Sequence, residues 1–275
     1  MITTEQIAHF HTFGFLALKQ AFSSNEMTEI SRVFDDLLEE ARQGQPSLDE
    51  KQQSRYHRLQ SIYGIAERHP LLTELVADDR IYETVCQLLG DGCRWLCSEG
   101  HHYLGDTKWH PDGGSTQDYF FIKVSLYLDP LTKDTGCLRV IPGSQRSPLH
   151  DDLKRLEDRE GPPDRPTPQI DLPGPEVPAF PLESKPGDIL FLNMNLWHAS
   201  FGGKPGRRHL ALNFTPEPTL PEHIALLKKD YQGVLNLMER VQHGPPRRVF
   251  SDAFLQSDNQ RIQRLVSTWV ELGLK

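Results

Sequence analysis

Cysteine is scarce in this chain: Cys86, Cys93, Cys97 and Cys137 are the four in 275 residues. Their spacing holds no paired C-x-x-C zinc pattern, and so few in a chain of this length do not make a disulfide framework. Four buried free thiols in a reducing, cytoplasmic setting are therefore expected. Long apolar runs are also missing. None approaches the roughly 20 residues that span a bilayer, and the opening stretch Met1-Ile2-Thr3-Thr4-Glu5-Gln6 lacks the basic-then-apolar order of a secretory signal. Positive charge is short as well: 30 Lys and Arg against 38 Asp and Glu leave a net charge of −8. With no basic stripe interleaved with aromatics, a dedicated nucleic-acid binder is excluded. The partner expected is a small molecule, with neither nucleic acid nor membrane; monomer and homodimer stay open. No repeat or low-complexity tract stands out.

What is present reads as one domain over 1–275. The part from 1 to about 92 is mostly helical. Ser23 and Glu26 form a capping box ahead of Met27, Ile30, Val33, Phe34, Leu37, Leu38 and Ala41 at helical spacing. A second helix is expected over 71–89, stopped by Gly90. From 93 to 215 short strands alternate with turns. In 119–128, Phe120, Ile122, Val124, Leu126 and Leu128 alternate with Phe121, Lys123, Ser125 and Tyr127, the period of a half-buried strand. Further strands are expected over 94–104, 137–141, 188–192 and 208–214. Short strands without intervening helices favour an antiparallel sandwich or barrel: a mainly β core with flanking helices. An insert over 147–181, rich in proline and charge, has the length of a lid or a disordered segment. The part from 216 to 275 reads as helical.

The chemistry concentrates in His110-Pro111-Asp112 and Trp197-His198-Ala199-Ser200. Alternate residues of a strand share a face, so His110 and Asp112 reach one ion, and Pro111 marks a strand end or edge. Two imidazoles and one carboxylate can cap one face of an octahedral metal and leave positions open, the arrangement of non-haem iron(II) oxygenases. Zinc fits such a cage too. An H-x-D tripeptide alone is weak, since it recurs by chance. Alternation from His110 puts Lys108 on the metal-facing side or at a solvated rim. Lys123 and Tyr127 line a pocket or face outward, according to which face of their strand is inner. Trp109 and Trp197 are candidates for substrate contact or for plain core.

Several blocks together resemble the phytanoyl-CoA dioxygenase (PhyH-like) family of iron(II)/2-oxoglutarate-dependent oxygenases. Trp109-His110-Pro111-Asp112 resembles its H-x-D, and 136–144 (GCLRVIPGS) its G-x-L-x-x-x-P-G-S block. Pro186-Gly187-Asp188-Ile189-Leu190-Phe191 resembles the P-G-D strand, and 197–200 with 207–212 the distal histidine and the arginine strand. One departure is Gln145, where the family often has His. The resemblance implies a double-stranded β-helix (jelly roll, cupin-like) with iron on His110, Asp112 and His198. Arg208, ten residues past His198, is expected to take the far carboxylate of 2-oxoglutarate in bidentate fashion. Ser200 and Lys108 are expected to assist. Arg207 lies on the opposite strand face, and a one-residue register slip exchanges the two arginines.

The implied activity is hydroxylation of a small organic molecule with iron(II), 2-oxoglutarate and O2, releasing succinate and CO2. Related halogenases replace the carboxylate ligand with a small residue, so Asp112 argues for oxygen transfer. Two alternatives stand beside it: desaturation or cyclisation by the same chemistry, and a non-catalytic metal-binding jelly roll acting as sensor or binding module. Retention of Arg207-Arg208 weighs against the latter.

Overall fold

Alternation along one central strand decides how the chain layers. In β5 (Ile122–Tyr127) the residues Ile122, Val124 and Leu126 point one way and Lys123, Ser125 and Tyr127 the other. A computed structural model describes residues 1–43, 59–90, 92–103, 105–113, 115–156, 174–242 and 249–274. In it β5 sits inside a six-stranded antiparallel sheet of order β1-β8-β5-β10-β3-β2. Its strands are β1 (Phe15–Leu18), β2 (Leu59–Tyr63), β3 (Cys93–Tyr103), β8 (Ile189–Asn193) and β10 (Arg207–Pro216), besides β5 itself. A smaller sheet of order β4-β9-β6-β7 faces it, built from β4 (Thr107–His110), β6 (Leu138–Val140), β7 (Phe180–Leu182) and β9 (His198–Ser200). The two antiparallel sheets make the expected jelly roll.

The outward face of the large sheet is apolar. Val124, Leu126, Phe191, Leu210 and Leu212 join one buried cluster with the helices that cover them. Those helices include α1 (Thr4–Phe13), α2 (Ser24–Gln43), α3 (Pro70–Val76) and α4 (Asp79–Leu89). Later in the chain come the short α5 (Leu149–Asp152), then α6 (Pro221–Gln242), α7 (Asp252–Leu255) and α8 (Gln260–Glu271). The Ser23–Glu26 capping box is present: Ser23 N donates to Glu26 Oε2 at 2.7 Å, and Glu26 N donates to Ser23 Oγ at 3.4 Å. Between the sheets a second cluster gathers Phe15, Tyr127, Leu138, Val140, Leu190 and Leu192.

Three sequence readings change. The helix expected over 71–89 is two, because Asp78 caps a fresh start by accepting from Arg80 N at 2.9 Å. The mostly helical N-terminal part also supplies both edge strands of the large sheet, β1 and β2. Cys86 and Cys93, expected as free thiols, form a disulfide across the turn from α4 into β3, with Cα atoms 5.3 Å apart; Cys97 and Cys137 are free. Of the insert, 157–173 lies outside the described residues, and so does the part of the lid expectation that rests on it. Among the described residues no helix is long and apolar enough to cross a membrane.

Candidate metal centre

β4 ends at His110, and Pro111, which has no N–H to donate, stops the ladder. Asp112 is then tied down by its own backbone: its N–H donates to Met194 O at 2.9 Å, in the turn between β8 and β9. That turn leads into His198, the first residue of β9, which pairs directly with His110. One donor atom each from His110, Asp112 and His198 therefore lies within 4.8 Å of the others. Asp112 Oδ1 is 4.0 Å from His110 Nε2 and 3.8 Å from His198 Nε2.

Both imidazoles have their tautomer set by the backbone. His110 Nδ1 lies 2.7 Å from Lys108 O, and His198 Nδ1 lies 2.9 Å from Leu196 O. A carbonyl oxygen can only accept, so each Nδ1 carries the proton and each Nε2 keeps its lone pair for a metal. Burial holds His198 down to about 4, so it is neutral at physiological pH. Burial works against the charged form of Asp112, but Lys123, His198 and His110 outweigh it and hold the carboxyl well below the usual range. Lys123 Nζ is 3.0 Å from Asp112 Oδ1 and 3.8 Å from Glu99 Oε2. Two imidazoles that turn Nε2 toward one ionised carboxylate fit a divalent first-row metal such as iron(II).

A cleft of about 450 Å³, counted with its mouth, runs from these ligands between the two sheets. The large sheet contributes Tyr103, Lys123, Tyr127, Arg207 and His209, and the small sheet Thr107 and Ser200. Arg207 is buried (5 % exposed) and clamped in place. Its Nη1 donates to Gly136 O and Ser200 Oγ, and its Nη2 donates to Gly105 O at 2.7 Å. Gly136 sits at φ +89°, and a Cβ there would come within 2.5 Å of Gly203 Cα, so only glycine lets these two loops close beside the guanidinium. His209 stacks on Tyr127 with ring centroids 4.6 Å apart, and among the described residues neither of its buried ring nitrogens has a hydrogen-bond partner. Burial pushes it well below the ordinary histidine range, so it is neutral.

The structure brings together His110, Asp112, His198, Ser200 and Lys123 from the sequence reading. It does not bring in Arg208. Arg208 pairs with His102 across the ladder, on the outward face, and its guanidinium bonds Asp129 at 2.8 Å and Asp35 of α2 at 2.7 Å. Arg207 opposes Tyr103 and His209 opposes Tyr127, so these alternate residues of β10 face the cleft. Lys108 is exposed and lies outside the cleft lining. Its place in the alternation is lost to a register irregularity between Thr107 and His110, which brings both of those residues to the cleft instead. Trp109 and Trp197 adjoin the two histidines, so alternation turns them away from the metal. They pack with Leu156, Ala199 and Phe201 in a separate core cluster, with Trp109 Nε1 donating to Gly174 O at 2.8 Å and Trp197 Nε1 to His150 O at 3.2 Å. Sequence reasoning missed Thr107, Tyr103 and His209. Stepping by two along β10 from Arg207 would have found His209.

The blocks that resemble the family pattern also have a physical account. Ser144 Oγ accepts from Trp197 N at 2.9 Å, steadying the residue before His198. Gln145, the departure from the family pattern, donates through Nε2 to Thr12 O at 3.2 Å and His11 O at 3.3 Å, tethering α1. Asp188 accepts from Gln20 N at 2.8 Å and Lys185 N at 3.0 Å, locking β1 to the start of β8.

The family profile described as phytanoyl-CoA dioxygenase (PhyH) matches residues 10–209, a span that contains all three ligands and Arg207. The chain belongs to the phytanoyl-CoA dioxygenase family. As a PhyH-family protein it is a non-haem iron oxygenase that uses 2-oxoglutarate and O2, and the His110–Asp112–His198 set suits that metal. The PhyH-family chain is 26 % identical over 262 residues to the ectoine dioxygenase of Sphingopyxis alaskensis, covering 87 % of this chain and 78 % of that protein. Among solved structures, that bacterium's EctD with 2-oxoglutarate and 5-hydroxyectoine is similar at 24 % identity and a TM-score of 0.58, over 78 % of this chain and 76 % of that one. HygX from Streptomyces hygroscopicus with nickel and 2-oxoglutarate is similar at 20 % identity and a TM-score of 0.57, over 79 % and 88 % of the two chains. The carbocyclase SnoK from nogalamycin biosynthesis follows at 17 % and 0.59, over 78 % and 84 %. At these identities the structural matches speak for the fold.

Proposed function

We propose that this protein hydroxylates a small organic molecule, with His110, Asp112 and His198 holding iron(II) and Arg207 with Ser200 receiving the far carboxylate of 2-oxoglutarate. The observation that carries the reading is the sharing of one cleft by three converging metal donors and a buried, clamped arginine. Bound iron with 2-oxoglutarate and O2 supplies the oxidising power for C–H hydroxylation, with succinate and CO2 as co-products.

The chain's own groups prepare that site. The carbonyls of Lys108 and Leu196 orient the imidazoles. Lys123 keeps Asp112 ionised and ready to ligate. Gly136 O and Gly105 O fix the guanidinium before any ligand arrives, so little side-chain entropy is lost when a carboxylate docks. His209, with two unpartnered nitrogens on the cleft wall, offers a hydrogen bond to a co-substrate lying between Arg207 and the metal. Packing of the sheets around the cleft keeps bulk water away from the reacting centre. The likeness to ectoine dioxygenase supports a small-molecule substrate. We further propose that 1–275 acts as a single catalytic domain, the helical ends supporting the β core.

The test is anaerobic titration of metal-free protein with Fe(II) and then 2-oxoglutarate, following the visible charge-transfer band of the chelate. A band in wild type that Asp112→Ala removes supports the reading. Bound iron with no band at saturating 2-oxoglutarate would overturn it, leaving the metal-binding module as the remaining function.

A further inference from the structure

On the far side of Asp112 and Lys123 from Arg207 lies a second, larger cavity of about 960 Å³, counted with its mouth. It shares those two residues with the 2-oxoglutarate cleft, so the two hollows meet at one proposed metal ligand, Asp112, and the lysine paired with it. One wall is the inner face of the large sheet, where Glu99 and Asn213 lie. The other is one face of α6, where Leu226, Asp230, Gly233 and Val234 recur at helical spacing. The polar groups of this cavity are mainly hydrogen-bond acceptors. Asn213 is only 2 % exposed and its Oδ1 has no hydrogen-bond partner among the described residues, while its Nδ2 donates to Cys97 Sγ at 3.3 Å. A buried amide oxygen left unpaired costs free energy until a donor reaches it. Burial, aided by the Glu99 charge, pushes the Asp230 carboxyl up to about 6, the mark of an anion facing another anion in a poorly solvated place. Lys123 does not answer that need, because it is committed to Asp112 and Glu99. Lys229 sits exposed at the rim.

We propose that this cavity is the substrate site and that it selects a small organic cation with N–H donors, an amine, amidine or guanidine, whose charged group lies against Asp230 and Asn213 while its carbon skeleton reaches the metal ligands. The inference rests on the oxygenase reading above and adds the substrate's chemical class. Apolar side chains of Leu96, Met194, Leu226 and Val234 line the rest of the cavity and suit a hydrocarbon body. The charge-assisted bond between cation and carboxylate supplies the discrimination, since a neutral amide offers N–H donors without the charge and an anionic isostere offers neither.

The experiment uses three probes of nearly one shape and three charges: benzamidine, benzamide and benzoate. Each is titrated calorimetrically, without oxygen, into protein loaded with Fe(II) and 2-oxoglutarate. Benzamidine is expected to bind at least about tenfold more tightly than either isostere, and Asp230→Asn is expected to erase that preference. Gly233→Leu is the fold-safe companion. A Cβ at Gly233 meets open space and leucine favours the helix, so this variant is expected to fold normally and weaken benzamidine by narrowing the cavity. Equal binding of the three probes, a preference for benzoate, no binding of benzamidine, or a preference that survives Asp230→Asn would each overturn the proposal. The loading step separates the two readings: protein that takes up iron but not 2-oxoglutarate sinks the oxygenase reading itself, whereas normal loading without cation preference sinks only the substrate class.

Discussion

The two faces of the large sheet come from the same strands, one residue out of step, and their chemistry is opposite. On the outward face Val124, Leu126, Leu210 and Leu212 are fully buried against helices, so each contributes transfer free energy and packing. On the inward face Lys123, Ser125, Tyr127, Arg207 and His209 occupy positions that could have been a second hydrophobic layer. There the chain buries an ion pair, an arginine clamped by carbonyls and a histidine whose ring nitrogens have no hydrogen-bond partner among the described residues. Such groups add little stability, and the unpaired ones subtract from it. The outward face holds the fold, and the inward face spends part of that stability on a cavity already shaped for charged ligands.

Substitutions can break this division at several points. The largest effect is expected from Asp112→Ala on the inward side, with iron uptake and succinate release falling to background and stability dropping by about 3–5 kcal/mol, because the variant leaves the buried Lys123 ammonium with only Glu99 at 3.8 Å. Next comes Leu212→Ala on the outward side. It should cost about 2–5 kcal/mol of stability by leaving a cavity, read by denaturant unfolding, while the folded fraction keeps its 2-oxoglutarate affinity. The adjacent arginines then give the sharpest contrast. Arg207→Ala should raise the 2-oxoglutarate KM by about 10- to 100-fold, the loss of a charge-assisted pair. Arg208→Ala should leave that KM within about twofold and cost roughly 0.2–1 kcal/mol of stability, since its partners Asp35 and Asp129 are substantially exposed. Equal KM effects from both would erase the assignment of the two faces. The smallest effect is expected from His209→Leu. Removing two unpartnered buried nitrogens should leave stability unchanged or raise it by about 1 kcal/mol, while weakening 2-oxoglutarate binding. A clear loss of stability would show that His209 belongs to the core.

The same division explains what could be read from sequence. The three proposed metal ligands could be named because the blocks around His110, Asp112 and His198 together resemble the family, an H-x-D alone being weak, and the structure brings their donor atoms within 4.8 Å of one another. The period-two run around β5 displayed its two faces in full, although which face was inner depended on the strands beside it. Arg207 and Arg208 show where reading stopped. Their order is plain, but the face each takes is set by the register of β10 against Tyr103 and His102 of β3, and a one-residue slip exchanges them. Lys108 failed for a related reason, since the irregularity in β4 shifts the alternation by a residue that no local residue type announces. Trp109 and Trp197 were drawn in by adjacency to the histidines, although neighbours in a strand point apart. α6 was foreseen only as part of a helical tail, and nothing local told that Asp230 would close a cavity over β3, β5 and β10.

The bond from Asp112 N to Met194 O has a consequence for how the metal arrives. It ties one ligand to the turn that carries the second, and the β4–β9 pair joins the third to both. The ligands therefore belong to a single stiff body. An incoming ion does not gather them from three independent segments, so loading should leave backbone amide exchange nearly unchanged elsewhere in the protein.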